Sequence, residues 1–187
     1  NALGVTQFGQ MTAGSFMYIG PQGIVHGTTI TILNALRKIK GKHENPWKLF
    51  LTSGLGGMSG AQPKAAKIAG ITSITAEVNK NAIQKRFEQG WIDEIISDIN
   101  KLIERIKNLK IKNDISSIGY HGNIVEIWEE FTKREIFIDI ASDQTSLHNP
   151  WSGGYYPISL SFQDANKMIR NSPQTFKKHV RKSLVRQ

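Results

Sequence analysis

Between Trp47 and Val78 the chain runs through "WKLFLTS", "GLGGMSG", "AQPKAAKIAG" and "ITSITAEV". An apolar strand-like run, a glycine cluster, an alanine-rich helical stretch and a second strand follow one another with almost no spare residues. Strand, short helix and strand in that order leave few solutions, and the favoured one is a pair of parallel strands joined by a helical crossover. Gly54, Gly56 and Gly60 stand in a G-x-G-x-x-x-G arrangement between the first strand and the helix. Gly54 suits the tight turn, Gly56 and Gly57 allow close backbone approach to a pyrophosphate, and Gly60 allows close helix packing. Pro63 fits the first turn of the helix, and Gly70 fits its end. The amino terminus of such a helix offers free N–H groups and a partial positive charge to phosphates. A glycine cluster can also serve only to shape a tight connection, so a second element is needed. Glu77 supplies one at the end of the second strand, where a carboxylate accepts hydrogen bonds from a ribose and repels a 2′-phosphate. The pattern therefore favours NAD over NADP, against the plainer reading of Glu77 as a solvated strand-end carboxylate.

The rest of the chain keeps the alternation. Residues 1–25 hold five glycines without helical periodicity and are expected to be loop or short strand. Val25 to Lys40 reads as a helix with Ile30, Leu33, Leu36 and Ile39 on one stripe. Ile92, Ile95, Ile96, Ile99, Leu102, Ile103 and Ile106 hold a helical period and predict one long helical region. "ISSIGYH" reads as a third strand, "GNIVEIWEEFTKR" as a helix and "IFIDIASD" as a fourth strand. After Pro157, Ser161 and Asp164 have capping-box spacing and Ser172 with Pro173 opens a last helix. The expected fold class is α/β: a doubly wound, mostly parallel, Rossmann-like sheet with helices on both faces and a helical carboxyl-terminal tail. One core domain over residues 1–187 is expected, with a glycine-rich entry segment at 1–24 and the helical tail at 158–187.

Composition narrows the function classes. No apolar run approaches the roughly 20 residues that span a bilayer, and no signal-peptide or transit pattern precedes the first glycines. The chain begins at Asn1 with no initiator methionine, as expected of a fragment. The absence of cysteine excludes disulfides and thiolate metal sites within it and is compatible with a cytoplasmic protein. A formal charge of +9 raises a nucleic-acid partner. The densest basic stretch, "FKKHVRKSLVRQ", instead places Phe176, Val180 and Leu184 at fourfold spacing, the pattern of a docked amphipathic helix with a solvated basic face. The five histidines show no metal-ligand spacing, and no G-x-S-x-G context supports a hydrolase. His121 and His148 fall where strands should stop. Each is read either as a hydrogen-bonded structural residue or as a ligand contact.

Taken together, "GQMTAGS" (9–15), "YIGPQGIVHGT" (18–28), "TSGLGGMSGAQP" (52–63), "HGN" (121–123), "DQTSLHNP" (143–150) and "GYYP" (154–157) resemble the central domain of the urocanase family, in unbroken order. The resemblance implies a tightly bound NAD+ in a Rossmann-like domain, set between amino- and carboxyl-terminal parts of a homodimeric cytosolic enzyme of histidine breakdown. That enzyme hydrates urocanate to 4-imidazolone-5-propionate, using NAD+ as an electrophile rather than as a hydride acceptor. Carried over position by position, the implied cofactor contacts are Gln10, then Gly57, Met58 and Ser59 in the turn, and Glu77 at the ribose. Asn123 with Ile124, the run Gln144, Thr145, Ser146, Leu147 and His148, and the pair Tyr155 and Tyr156 complete the implied set. No metal is implied.

Several positions depart from the family pattern. Ser59 stands for a glycine, and Ala82 for an arginine, a loss for which Arg86 is the candidate compensator. Leu147 and Asn149 replace Ala and Asp, "SGGYYP" is one residue longer, and "VHGTTIT" lacks a tyrosine and a glutamate. The family's essential cysteine has no counterpart here, so the resemblance implies no catalytic residue in this chain and no turnover by the chain alone. Urocanate, the missing terminal regions and a second copy are the implied partners, with neither nucleic acid nor membrane among them. Two rivals remain at the level of sequence: a stand-alone NAD-binding, hydride-transfer module, and a basic nucleic-acid-binding module.

Overall fold

The structure is a computed structural model that describes residues 21–39, 46–57, 59–143 and 149–187. Strand β1 (Leu49–Ser53) and strand β2 (Thr72–Glu77) pair in parallel, with helix α2 (Ala61–Ile68) crossing between them. Helix α3 (Lys80–Glu88), strand β3 (Glu94–Ile96) and helix α4 (Ile99–Lys112) lead to strand β4 (Ser117–His121), which inserts between β3 and β2. Helix α5 (Ile124–Lys133) then carries the chain to a short strand β5 (Ile140–Ala141) on the far side of β1. The sheet order is β3-β4-β2-β1-β5, and every pairing is parallel. The path turns from one side of β1 to the other between β4 and β5, the kind of switch point at which open α/β sheets bind ligands.

Side-chain alternation on the strands decides what covers each face. Leu49, Leu51, Ile74, Ala76, Ile118 and Tyr120 point to one face and pack beneath Leu102, Ile103, Ile106 and Leu109 of α4 and Val125, Ile127 and Phe131 of α5. The opposite face carries small residues. Ser117 Oγ donates to the Pro63 carbonyl at 3.0 Å and lies 3.2 Å from Ser73 Oγ, so α2 rests directly on hydroxyls and brings Ala61, Ala65 and Ala66 into the core. Helix α1 (Pro21–Ile39) covers the same side, where Ile32 packs with Phe50, Ala65, Ala66 and Ile71. The α/β class with helices on both faces is thus the observed one. The three polar residues that open α3, α4 and α5 explain why these helices start where they do. Asn79, Asp98 and Asn123 each accept a backbone N–H from the first turn.

The tail also follows the sequence. Helix α6 (Phe162–Asn171) is capped by Ser161, whose hydroxyl accepts from Asp164 N, and helix α7 (Pro173–Arg186) has its proline in the first turn. Phe176 and Val180 are fully buried with Tyr155 and Ala165. An ion pair between Arg186 and Glu129 at 2.8 Å joins α7 to α5.

Three expectations need correction. Ile92 to Ile106 is not one helix: Asp98 caps α4, and Glu94–Ile96 before it form β3, preceded by Asp93, whose N donates to the Ser117 carbonyl at 2.7 Å. Isoleucine suits a buried strand as well as a helix face, and the helical spacing of Ile92, Ile95, Ile96 and Ile99 concealed the change of period. The strand expected over 136–143 is strand only at Ile140–Ala141: Ile136 and Ile138 face the core and Phe137 is 58% exposed, as in a strand, but Leu49 N donates to the Asp139 carboxylate at 2.9 Å and the ladder to β1 begins only at Ile140. Finally, α1 begins at Pro21, inside the segment read as loop, and its buried line runs through Ile32 and Leu36 while Ile30 and Leu33 are exposed. The hydroxyls of Thr29 and Thr31 bond back to the carbonyls of Val25 and Gly27, satisfying themselves within the helix. Among the described residues no helix is long and apolar enough to cross a membrane.

Candidate functional site

A cleft of about 250 Å³ opens at the carboxyl ends of β1, β2 and β4. Its walls are the glycine turn after β1, the Ala76–Val78 end of β2, the Gly122–Ile124 turn into α5 and a loop at Gly153–Tyr156. Each wall is fixed by hydrogen bonds that can be followed from the sequence.

The glycine turn is tied to β2 first. Gly54, at φ +88°, donates to the Ala76 carbonyl at 2.8 Å, a left-handed position that glycine takes without strain. The Glu77 carboxylate then reaches across. One oxygen accepts Leu55 N at 2.7 Å and the other accepts Asn79 N at 2.8 Å. A carboxylate has roughly four acceptor sites, so two backbone bonds leave it able to accept more. Farther along, Gly56 N donates to Ser59 Oγ at 3.0 Å and Gly60 N donates to the Gly56 carbonyl at 3.1 Å. Among the described residues the N–H groups of Gly57 and Ser59 have no acceptor. These open donors lie one turn before α2, where the helix adds partial positive charge.

Space at the glycines separates two demands. A Cβ on Gly57 would meet nothing within 4 Å, so the fold itself does not ask for glycine there, and a ligand approaching the backbone is what would. A Cβ on Gly60 would lie 2.3 Å from Arg86 Nε and 2.7 Å from the Gly56 oxygen. The sequence assigned Gly60 to helix packing. The structure assigns it to making room for an arginine.

Asn123 joins two walls. Its Oδ1 accepts Val125 N at 3.0 Å as the cap of α5, and its Nδ2 donates to the Tyr156 carbonyl at 2.8 Å. The Gly122 N–H donates to the Glu77 carbonyl at 3.1 Å, and a Cβ at Gly122 would lie 2.4 Å from the Tyr120 ring, so this turn also requires glycine. Tyr156 lends its ring to the cleft, while its hydroxyl donates to Asn166 of α6 at 3.2 Å. Burial raises its pKa, Asn166 opposes that, and the charge of Glu77 raises it further. Tyr155 is 3% exposed, and its hydroxyl faces away from the turn, toward Ser183 at 2.8 Å and Gln187 at 3.0 Å. Beside this, Ser53 donates to Asp143, which also accepts from Gln187, so α7 is tied to the end of β1.

Of the residues singled out from sequence, Ser59, Glu77, Asn123, Ile124, Tyr155 and Tyr156 line this one cleft, and Gly57 sits in the turn. Gln10, Met58, Gln144, Thr145, Ser146, Leu147 and His148 lie outside the described residues. His121 ends β4, as expected, and stands opposite Glu77, yet it is not among the residues lining the cleft. Arg86, considered as a compensating ligand contact, does not line the cleft either, because its guanidinium is held beneath the turn. Sequence reasoning passed over Ser53, Gly122 and Gly153. Only the two glycines carried a signal, as turn residues after a strand and beside a tyrosine pair.

The model of the urocanase Rossmann-like domain matches residues 20–187. A probable urocanate hydratase of Caenorhabditis elegans is 54% identical over 187 residues, covering 100% of this chain and 28% of its own length. Urocanate hydratase of Homo sapiens is 51% identical over 191 residues with the same coverage, and a probable urocanate hydratase of Dictyostelium discoideum is 53% identical over 186 residues, 99% of this chain and 28% of its own. The chain therefore spans little more than a quarter of these relatives. With its parallel sheet, its glycine turn and a family match from residue 20 to its last residue, the chain belongs to the urocanase family.

Proposed function

We propose that this chain is the NAD+-holding core of a urocanate hydratase, which adds water to urocanate to give 4-imidazolone-5-propionate. The observation that carries the reading is the meeting of an open glycine turn with the Glu77 carboxylate across one cleft, in a chain of this family. The donor set fits a dinucleotide. The amides of Gly57 and Ser59 suit a pyrophosphate, and the remaining acceptor capacity of Glu77 suits a ribose diol while opposing a 2′-phosphate. Asn123, Ile124, Tyr155 and Tyr156 form the wall against which the rest of the cofactor lies. Gln10, Met58 and the segment Gln144 to His148 belong to the same proposed set.

When bound, NAD+ supplies an electron-poor ring that activates the substrate. This chain's part is to bind and orient it. A rigid seat converts an encounter into a fixed geometry and lowers the entropic cost of reaction. The chain acts as one core unit over residues 1–187 within a cytosolic homodimer, and the remaining regions of the protein contribute the family's cysteine and close the site. The chain alone does not turn over urocanate.

Calorimetric titration of the full-length protein with NAD+ and NADP+, alongside loss of urocanate absorbance, tests the reading. Tighter binding of NAD+ and urocanate loss without accumulation of NADH are expected. No binding of either nucleotide, or robust NADH formation with an alcohol or hydroxy acid, refutes it.

A further inference from the structure

Arg86, in the last turn of α3, is only 9% exposed. A buried guanidinium is costly unless its donors are met and its charge is balanced. The donors are met. Nε donates to the Leu55 carbonyl at 3.1 Å, Nη2 to the Gly56 carbonyl at 2.7 Å and Nη1 to the Gln89 side-chain oxygen, with Cζ 5.0 Å from the centre of the Trp91 ring. All three acceptors are neutral, so the charge has no carboxylate bonded to it among the described residues. Burial accordingly lowers its pKa from the ordinary arginine value, though an arginine so placed stays protonated.

The two carbonyls belong to successive peptide units of the glycine turn, and both units are trans. In a trans peptide the N–H points opposite to the C=O. Fixing the oxygens of Leu55 and Gly56 on the Arg86 side therefore turns the N–H groups of Gly56 and Gly57 to the other side, where Gly56 N donates to Ser59 Oγ at 3.0 Å and Gly57 N stays open among the described residues. A carbonyl that accepts from a cation also makes the N–H of the same peptide a stronger donor, because hydrogen bonds in series polarise one another. Gly60 keeps the place open, since a Cβ there would lie 2.3 Å from Nε.

We propose that Arg86 is a positioning residue for anion binding: it clamps the back of the glycine turn by two carbonyls and passes its uncompensated positive charge through the Gly56–Gly57 peptide to the open Gly57 amide, which receives a phosphate. The proposal rests on the dinucleotide reading of the cleft, and it deepens that reading by naming the residue on which phosphate affinity depends without contact. It differs from a direct cationic contact, because Arg86 lies behind the turn.

The test uses the full-length protein and two probes, ADP and adenosine, which share a base and ribose and differ in phosphates. R86M removes charge and fork. R86K keeps the charge but cannot hold both carbonyls in one plane. Calorimetric titration should show R86M losing about tenfold or more in ADP affinity, the scale of one charge-assisted hydrogen bond. Adenosine affinity should stay within about twofold, and R86K should fall between wild type and R86M for ADP. Equal losses for the two probes, or no loss for ADP, overturn the proposal and leave the dinucleotide reading standing. Failure of the wild type to bind ADP overturns both. Should R86M not fold, R86K carries the same comparison, and an unchanged ratio of ADP to adenosine affinity refutes the proposal.

Discussion

Replacing Gly60 by alanine isolates the contact on which the glycine turn depends. The backbone at Gly60 has φ −58° and ψ −16°, which alanine adopts freely, so no conformational strain enters. The cost begins as a steric clash. The new Cβ would stand 2.3 Å from Arg86 Nε, 2.9 Å from Arg86 Cζ and 2.7 Å from the Gly56 oxygen. The oxygen is backbone already held by Gly60 N and by Arg86, and the guanidinium is pinned by three acceptors and a ring, so neither can yield alone. Overpacking of this kind costs about 1–3 kcal/mol. Displacing the fork from two carbonyls adds about 1–3 kcal/mol. The reduced freedom of the unfolded chain offsets about 0.4–1 kcal/mol, leaving a net loss of about 1–5.5 kcal/mol. At about 2–4 °C per kcal/mol for a chain of this size, the melting temperature falls by about 2–20 °C. Gly57→Ala is the matched control. Its Cβ meets nothing within 4 Å and its φ is not among the positive ones, so stability should stay within about 0.5 kcal/mol. Urea unfolding followed by circular dichroism compares the two. Equal midpoints for Gly60→Ala and Gly57→Ala would refute the account of the turn.

Two further outcomes follow from the walls of the cleft and the core beneath them. Asn123→Asp keeps the acceptor that caps α5 but loses the donor to the Tyr156 carbonyl and faces it with a negative charge; stability should drop by about 1–2 kcal/mol, with faster limited proteolysis at Gly153–Tyr156 while the helix signal stays intact. An unchanged cleavage rate there would show that Asn123 does not hold the loop. Burial, and next the hydrogen bond to Glu126 at 2.8 Å, raises the Tyr120 pKa above its ordinary value of 10.0. The folded state thus keeps a proton that the unfolded chain releases, and the resulting stability is full below about pH 10 and declines as pH rises above it, by up to about 1.4 kcal/mol per pH unit. Tyr155 and Tyr156 are raised in the same direction. Tyr120→Phe should give a shallower alkaline decline in the urea midpoint, and an identical slope would count against the buried phenol as its source.

Much of the fold was legible because local and global signals agreed. The strands at Leu49–Ser53 and Thr72–Glu77, the helix opened by Asn123, and the tail helices opened by Ser161 and Pro173 each combine a periodic apolar pattern with a capping or terminating residue. Where only one signal was present the reading slipped. The isoleucines from Ile92 to Ile99 satisfy a helical period and strand propensity alike, and Asp98 as a cap was the residue that could have divided them. In α1 the apolar residues are spread around the helix, so which of them are buried is set by where α2 lies, a fact of tertiary packing.

The site was legible in place more than in cause. Strand ends could be located from sequence, and residues from three of them do share a cleft. What each side chain does there depends on partners far along the chain. Asn123 looks like a ligand contact in a motif, yet both ends of its amide are engaged by Val125 and Tyr156. Tyr155 looks like the twin of Tyr156, yet its hydroxyl serves α7. Arg86 looks like a cation for the ligand, yet its charge stands behind the backbone. Glycine is the sharpest instance, because the same letter answers three demands within one turn: a left-handed φ at Gly54, open space at Gly57 and a buried guanidinium at Gly60. A spacing rule can find such a turn without distinguishing them. The distinction matters for the proposed function, under which only the demand at Gly57 concerns the ligand directly, while those at Gly54 and Gly60 hold the surface of the turn.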